Sequence, residues 1–537
     1  MFSWRMVPCV IFEDEYLLVV AKPAGWNTHA PSPYAGEGIY DWLKHREPRW
    51  SSLAILHRLD KETSGVMVFG KTPLVNKSLT EQFTQHQVHK KYLLLTDREV
   101  PPKEFTVKTA LVRVGEKYAS GASGEIAETK FTPISDSKFG NSRLKMVTAE
   151  PLTGRTHQIR VHAAENGFPI LGDTLYGGTA SSRVFLHAGE IAFTHPATSQ
   201  PVKFFAPVNF DIEPRLAIRT AVIEPDLTNA FRVIHAASDG WPGWFVKKLG
   251  DFLLSQSESP LNAKQNEELS RLAKIFSSRG AYHKILSRQV RRSIPTEASP
   301  QLVFGEAAPE RFEILENGVR YEMSFNEGYS VGLFLDQRDN RRRFLTNQIA
   351  AEFPLFQSEI ANRKSEILNC FAYTCGFSVC AAKAGARTTS LDLSKKYLEW
   401  GKRNFALNGL DPAAHDFIFG DTFDWLRRLA KKDRAFDAIA LDPPTFSQSK
   451  EHGTFRAEKD FGKLVAASLP LVKPGGILFC STNAADFLPE IFLAEIEKAV
   501  FQSRRKILQQ HYFPQPPDFP ISRAELAYLK TVWLRIG

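Results

Sequence analysis

Cysteine is scarce: Cys9, Cys370, Cys375, Cys380 and Cys480 are the only five in 537 residues, and none of the paired two-residue gaps of a zinc site occurs. A disulfide framework and a cysteine-built metal centre are excluded on that ground, so buried free thiols and no metal are expected. Long apolar runs are missing too. The longest near the amino terminus, Tyr16 to Ala21, falls far short of the roughly 18 residues a membrane span needs, and Glu13, Asp14 and Glu15 break any leader pattern. No membrane partner is expected, and the cytoplasm is the expected location. A large excess of one charge is also lacking. The net charge of +9 divides into +4 over residues 1–210 and +5 over the rest. Neither part is a basic tail, and charge alone does not name nucleic acid as a partner.

Core-forming material, by contrast, is ample. Hydrophobic residues at 43% and charged residues at 24% rule out a disordered scaffold. A single core stops growing at about 250 to 300 residues, so this length implies two or three domains. The texture changes between Asn209 and Thr228, where Pro214 and Pro225 punctuate the chain after Phe204-Phe205-Ala206-Pro207, and a linker over 209–228 is predicted. Before it, short runs at 16–21, 65–69 and 92–95 between Gly, Pro and Asp turns predict a mixed, mostly antiparallel α+β domain over 1–208. Nine of the fourteen histidines also lie before residue 210, several beside Arg, Asp or Gln, so polar chemistry concentrates there.

Beyond the linker, 229–300 reads as a small central α/β module with a turn at 239–243 and an amphipathic helix over 262–277. In 301–537, after a leading β-hairpin, strand-like runs at 367–369, 389–392, 416–420, 437–442 and 476–480 alternate with helical patterns at 395–408 and 422–430. That alternation predicts a doubly wound, Rossmann-like sheet with its ligand at the strand carboxyl ends. The fold class is therefore multidomain α/β.

The first chemical constellation is His57-Arg58-Leu59-Asp60-Lys61-Glu62-Thr63-Ser64-Gly65, directly before an apolar strand. Alone it reads equally as a charged turn whose Asp60 or Thr63 caps neighbouring amides. A second cluster, Thr153-Gly154-Arg155-Thr156-His157-Gln158-Ile159-Arg160-Val161-His162, opens a helical pattern ending near Gly167 and is richer in Arg and His than a solvated helix face. An aspartate beside a converging arginine stays ionised, fit to attack carbon or take a proton.

These motifs, with Glu13 to Gly25 and Leu186-His187-Ala188, make residues 11–207 resemble the RluA-type pseudouridine synthases. The resemblance implies isomerisation of uridine to pseudouridine in RNA without a cofactor. It assigns Asp60 as the catalytic aspartate, Tyr92 as the tyrosine under the base, and Arg160, chosen over Arg155, as the arginine paired with Asp60. Arg58 and Arg155 then fall to RNA contacts around a flipped nucleotide.

The second constellation, Leu368 to Phe377, follows a strand and precedes a helix. Its one glycine, Gly376, does not make a phosphate-cradling fingerprint. A ligand without phosphate tolerates such a loop, so Phe371, Tyr373 and Gly376 would wrap an adenosine whose ribose hydroxyls bond Asp392 and whose adenine lies beside Asp421. Helix capping is the competing role for Asp421. Adenosine without pyrophosphate suggests S-adenosylmethionine. Asp442-Pro443-Pro444-Thr445-Phe446 ends the fourth strand with rigid acceptors and an aromatic ring able to stack on a base.

From about Ala230 onward the chain resembles the RlmK-type and RlmI-type 23S rRNA methyltransferases. The likeness rests on Gly332 to Arg338, Asp392 to Trp400, Arg403-Asn404, Leu407-Asn408-Gly409 and Asp442 to Lys450. It implies 23S rRNA or a large-subunit precursor as partner, S-adenosylmethionine as cofactor, Asp442 holding the target base, and Arg338, Pro443, Pro444, Phe446 and Asn483 contacting substrate. RlmI relatives make 5-methylcytidine through a cysteine thiolate, whereas RlmK relatives methylate guanine N7 without a protein nucleophile. Asn483 stands where the RlmI cysteine would be, which favours a purine nitrogen. Ala484-Ala485 replaces the basic dipeptide of RlmK, so which base is the acceptor stays open. Arg288, Arg291 and Arg292 are further candidate RNA contacts. The expected function is thus a bifunctional RNA-modifying enzyme; the alternatives are one half decayed into an RNA-binding module, or cytosine-C5 methylation.

Overall fold

In the computed structural model the described residues are 7–139, 142–286, 299–326, 330–356, 365–449 and 453–537. Arg288, Arg291 and Arg292 lie outside them. Two units are distinguished: one takes in residues up to Ala30, Gly38–Leu43 and Ser52–Val222, the other Pro31–Glu37, Lys44–Ser51 and Ile223–Gly537.

Short apolar runs build one sheet in the first unit. Along its main path the order is Val10–Glu13, Leu17–Lys22, Ser64–Gly70, Leu186–Thr194, His89–Thr96, Ser142–Pro151, Glu125–Phe139, Phe105–Val114 and Lys117–Ser120. Among the described pairings in this sheet, only Ser64–Gly70 against Leu186–Thr194 is parallel. That pairing forces a close backbone approach at Gly65, which has φ +130°, and where a Cβ would lie 2.2 Å from the Ala188 carbonyl oxygen. Glycine is required there. One core layer joins Leu94, Phe131, Val147, Phe168 and Phe185 to helix Gln158–Glu165 through Ile159 and Ala163.

Where a linker was expected, Pro214–Val222 is a helix with Leu216, Ile218, Ala221 and Val222 buried, and the division between units falls after Val222. Its apolar residues recur at helical spacing, a period that the flanking prolines masked. The central module is a five-stranded sheet in chain order, with Phe252–Ser257 and Gly280–Ile285 parallel and joined by helix Ala263–Ile275. Its last strand is Gln301–Gly305, so the module runs past the expected boundary at 300. The expected hairpin follows as Phe312–Glu316 with Val319–Met323.

The last sheet has the order Asp416–Phe419, Arg387–Asp392, Glu366–Cys370, Phe436–Leu441, Val472–Thr482, Lys530–Ile536 and Ile507–Phe513. The first five strands are parallel, and Lys530–Ile536 runs antiparallel to both of its neighbours, Val472–Thr482 and Ile507–Phe513. Chain order reverses between Glu366–Cys370 and Phe436–Leu441, which opens a crevice at their carboxyl ends, just where Phe371 and Asp442 begin their loops.

Candidate active sites

Asp60 sits on the loop between strands Ala54–Ile55 and Ser64–Gly70, and neighbouring polar groups hold that loop still. Thr28 Oγ1 donates to the Leu59 carbonyl at 2.9 Å and accepts the Leu59 N–H at 3.3 Å. Buried Lys22 donates to the carbonyls of Lys61 (3.2 Å), Pro23 (3.1 Å) and Trp26 (2.7 Å). Burial lowers the Lys22 pKa to about 7, against the pull of Asp60 and Glu62. The sequence reading gave neither Lys22 nor Thr28 a role.

The loop opens onto a cleft of about 590 Å³ whose lining includes Arg58, Asp60, Lys90, Tyr92, Arg155, His157 and Arg160. The predicted first-site residues are therefore brought together. The Arg160 Nη1 lies 3.7 Å from Asp60 Oδ2. Its closest partner is a different aspartate: Nε and Nη2 each donate to Asp173 at 2.7 Å, and Asp173 is 1% exposed. The expected pairing of Arg160 with Asp60 is thus a longer contact, made by a guanidinium that Asp173 anchors in a bidentate pair. Tyr92 is half-buried, and burial together with the Asp60 carboxylate pushes its phenol above the usual range, so it keeps its proton at neutral pH. Arg58 donates to Thr156 Oγ1 at 3.0 Å on the exposed rim, and Arg155 donates to the Ile126 carbonyl at 3.2 Å and pairs with Glu125.

In the second unit, strand Glu366–Cys370 feeds a loop in which Phe371 (φ 59°), Tyr373 (φ 48°) and Cys375 (φ 63°) are all left-handed. Non-glycine residues rarely adopt this conformation, so three within five residues mark a tightly determined loop. Asp392 accounts for part of that: its Oδ2 accepts the Tyr373 N–H and its Oδ1 accepts the Ser394 N–H, both at 2.8 Å. Burial raises the Asp392 pKa against these two bonds. Gly376 starts helix Gly376–Lys383, where a Cβ would press on Leu333 (3.1 Å) and Arg341 (3.2 Å). Asp421 caps helix Thr422–Lys431 through the N–H groups of Phe423 (2.9 Å) and Asp424 (3.2 Å). It also lines a cavity of about 880 Å³ with Phe371, Leu393, Phe423 and Phe455. The capping role is the one the hydrogen bonds show.

Asp442 accepts a hydrogen bond from Gln337 Nε2 at 3.1 Å, and the same nitrogen donates to Ser481 Oγ at 2.7 Å. Asn340 fixes the Gln337 amide by donating to its Oε1 at 2.7 Å. Burial raises the Asp442 pKa to about 6, with Asp336 adding to the rise and the bonds from Ser481 and Gln337 opposing it. Pro443 is buried, while Pro444, Phe446 and Asn483 are exposed. Gln337 went unassigned although it sits beside Arg338 in the Gly332 to Arg338 motif, which was the available signal.

Arg338 itself corrects a prediction. It is 3% exposed and donates to both oxygens of Asp518 at 3.0 and 2.7 Å, so it braces the fold and cannot reach substrate. Removing one member of a buried pair leaves the other charge stranded. Arg338→Ala is expected to cost about 3–5 kcal/mol, read as a large fall in the denaturation midpoint; an unchanged midpoint would refute the bracing role. All five cysteines are buried, and burial raises the thiol pKa of Cys370, Cys375, Cys380 and Cys480. Among the described residues no group of three or more His, Cys, Asp or Glu could hold a metal ion, and no helix is long and apolar enough to cross a membrane.

Residues 16–165 match the family model for RNA pseudouridylate synthase, and residues 255–535 match that for S-adenosylmethionine-dependent methyltransferase. A "Ribosomal RNA large subunit methyltransferase" of Deinococcus radiodurans is 31% identical over 338 residues, covering 60% of this chain and 78% of that protein. A "Ribosomal RNA large subunit methyltransferase I" of Aeromonas salmonicida is 31% identical over 322 residues, covering 59% and 77%. Among solved structures, a methyltransferase complexed with SAH is 25% identical with a TM-score of 0.50, covering 70% of this chain and 98% of that one.

Proposed function

The chain belongs to the S-adenosylmethionine-dependent methyltransferase family and also carries an RNA pseudouridylate synthase domain, and from that premise we propose that it modifies large-subunit ribosomal RNA twice. One reaction turns a uridine into pseudouridine; the other methylates a purine nitrogen, guanine N7 foremost. Both relatives quoted above carry the large-subunit rRNA name, which supports the substrate.

In the first unit, Asp60 starts cleavage of the N-glycosidic bond by attack at C1′ or by deprotonating the ribose. The anchored Arg160 guanidinium faces the Asp60 carboxylate, and Tyr92 lies in the same cleft as the protonated phenol that handles protons at the base. Arg58 and Arg155 on the rim contact the RNA around an extruded nucleotide.

In the second unit, the apolar cavity beside Phe371 and Asp421, with no glycine-rich phosphate cradle, fits a nucleoside cofactor lacking phosphate. Phe371, Tyr373, Gly376, Asp392 and Asp421 would hold S-adenosylmethionine, which supplies an electrophilic methyl group when bound. Asp442, with Pro443 and Pro444 rigidifying its turn, accepts from the N1–H and N2–H of guanine. Phe446 stacks on the base and Asn483 borders it. Guanine N7 is an unprotonated acceptor on the opposite edge. No general base is required, and alignment supplies most of the acceleration.

One observation carries the choice of acceptor: every cysteine is buried, and the exposed position at the end of strand Val472–Thr482 is Asn483. A cytosine-C5 route needs an accessible thiolate. Reduction of one half to an RNA-binding module is disfavoured by the assembled carboxylates of both sites.

Nucleoside analysis of large-subunit rRNA treated with the protein should show pseudouridine and a methylated purine. Cys480→Ala should leave methyl transfer intact. Formation of 5-methylcytidine, or its loss in Cys480→Ala, would sink the purine assignment.

A further inference from the structure

His157 has no part in the chemistry above, yet the fold spends a rare backbone conformation on it. Its φ is +56°, in the left-handed region, at the residue that precedes helix Gln158–Glu165. Strain of this kind persists where the surroundings over-determine a side chain's place. Those surroundings are specific. His157 Nδ1 lies 2.8 Å from the Tyr176 hydroxyl, whose oxygen accepts the Tyr118 N–H at 2.9 Å. The Tyr118 and Tyr176 rings wall the imidazole edge-on, with centroids 5.5 and 5.6 Å away.

A hydroxyl that already accepts an amide N–H has its proton left to give. The arrangement that uses every group is therefore Tyr176 O–H donating to Nδ1, which places the imidazole proton on Nε2. Nε2 points to the cleft and lies 3.9 Å from Asp60 Oδ2. The same Tyr176 ring lies against the Arg160 guanidinium, 5.1 Å from its centroid. One tyrosine thus braces both groups that face Asp60.

We infer that His157 is a positioning residue for pseudouridine formation: the Tyr118 amide and Tyr176 hydroxyl fix its Nε2–H tautomer, and that N–H orients the Asp60 carboxylate toward the nucleotide. The inference rests on the pseudouridine synthase reading of this cleft. Asp173 explains why Arg160 alone is insufficient. It takes the Nε and Nη2 donors of Arg160, leaving Nη1 at 3.7 Å to face Asp60 from one side. His157 supplies a donor from another side. Both contacts exceed hydrogen-bond length, as is common in unliganded sites whose catalytic contacts tighten when substrate enters. The charged groups facing His157 are Asp60, Arg160, Asp173 and Glu62. Burial lowers the imidazole pKa, with Asp60, Asp173 and Glu62 opposing the shift and Arg160 adding to it, so the ring is neutral at physiological pH.

Asparagine tolerates the left-handed region but is too short to reach Asp60, so His157→Asn separates the imidazole from the backbone. The expected result, with an rRNA fragment as substrate, is a fall in kcat of about 100-fold at unchanged KM. The loss should fall on kcat and spare RNA binding, because the imidazole N–H aims the carboxylate and does not hold the nucleotide. Tyr176→Phe keeps the ring beside Arg160 and removes only the hydroxyl. It should lower kcat less, again at unchanged KM. Wild-type kcat in His157→Asn, or a loss carried by KM instead of kcat, overturns the inference; should that variant fail to fold, wild-type kcat in Tyr176→Phe does so. Absence of pseudouridine formation by the unmodified protein would instead overturn the reading on which the inference stands.

Discussion

Asp60→Asn is expected to abolish pseudouridine formation while leaving methyl transfer untouched. Asparagine has nearly the same shape but no negative charge, so it can neither attack C1′ nor take a ribose proton at a useful rate. Loss of a nucleophile or base that starts a reaction costs roughly 10⁴-fold or more. Stability should barely change, because the contacts of Asp60 to Arg160 (3.7 Å) and His157 (3.9 Å) are long and the loop is held by Lys22 and Thr28 instead. Nucleoside analysis after a timed incubation reads both products from one preparation, so methylation serves as the internal control. Pseudouridine formed at a rate within tenfold of wild type would remove Asp60 from the chemistry. Loss of both products would point to misfolding.

The second large effect concerns Asp442. With its pKa raised to about 6, chiefly by burial, it is mostly ionised at neutral pH and becomes neutral in mildly acidic solution. Only the ionised form accepts two hydrogen bonds from guanine's N–H groups without offering a competing proton. Methyl transfer by the wild-type protein should therefore be flat above pH 7 and fall as pH drops through about 6. Asp442→Asn removes one acceptor and replaces it with a donor that opposes the base, with an expected loss of roughly 100- to 1,000-fold. It should also erase the acidic limb.

Stability moves the other way. A carboxyl whose folded-state pKa is raised binds more protons folded than unfolded, so folding loses stability as pH rises from about 4 through about 6. Asparagine carries no such cost and still accepts the Gln337 N–H. Asp442→Asn should be inactive yet no less stable than wild type at pH 8. A destabilised variant, or one that keeps an acidic limb, would mean that Asp442 braces the turn and another group holds the base.

Period and punctuation in the sequence were enough to place most of the framework. Short continuous apolar runs foretold strands Leu17–Lys22 and Ser64–Gly70, and the three-to-four-residue period foretold helices Ala263–Ile275, Lys395–Leu407 and Thr422–Lys431. These are local signals: each element's buried face is written in its own residues. The same holds for the placement of Asp60, Asp392 and Asp442 at strand ends or turns. The helix Pro214–Val222 was equally local but hidden by flanking prolines.

What the sequence by itself determined, then, was which segments become strands and helices and which carboxylates stand at their ends. Only the tertiary structure decided the partners. Asp173 takes Arg160 from a segment 13 residues on, and Asp518 takes Arg338 from 180 residues away. Ser481 and Asp442, from adjacent strand ends, converge on Gln337. An arginine suited to RNA and one suited to a buried carboxylate look alike in a motif. Only the distant segments packed against each guanidinium decide whether water and substrate can reach it.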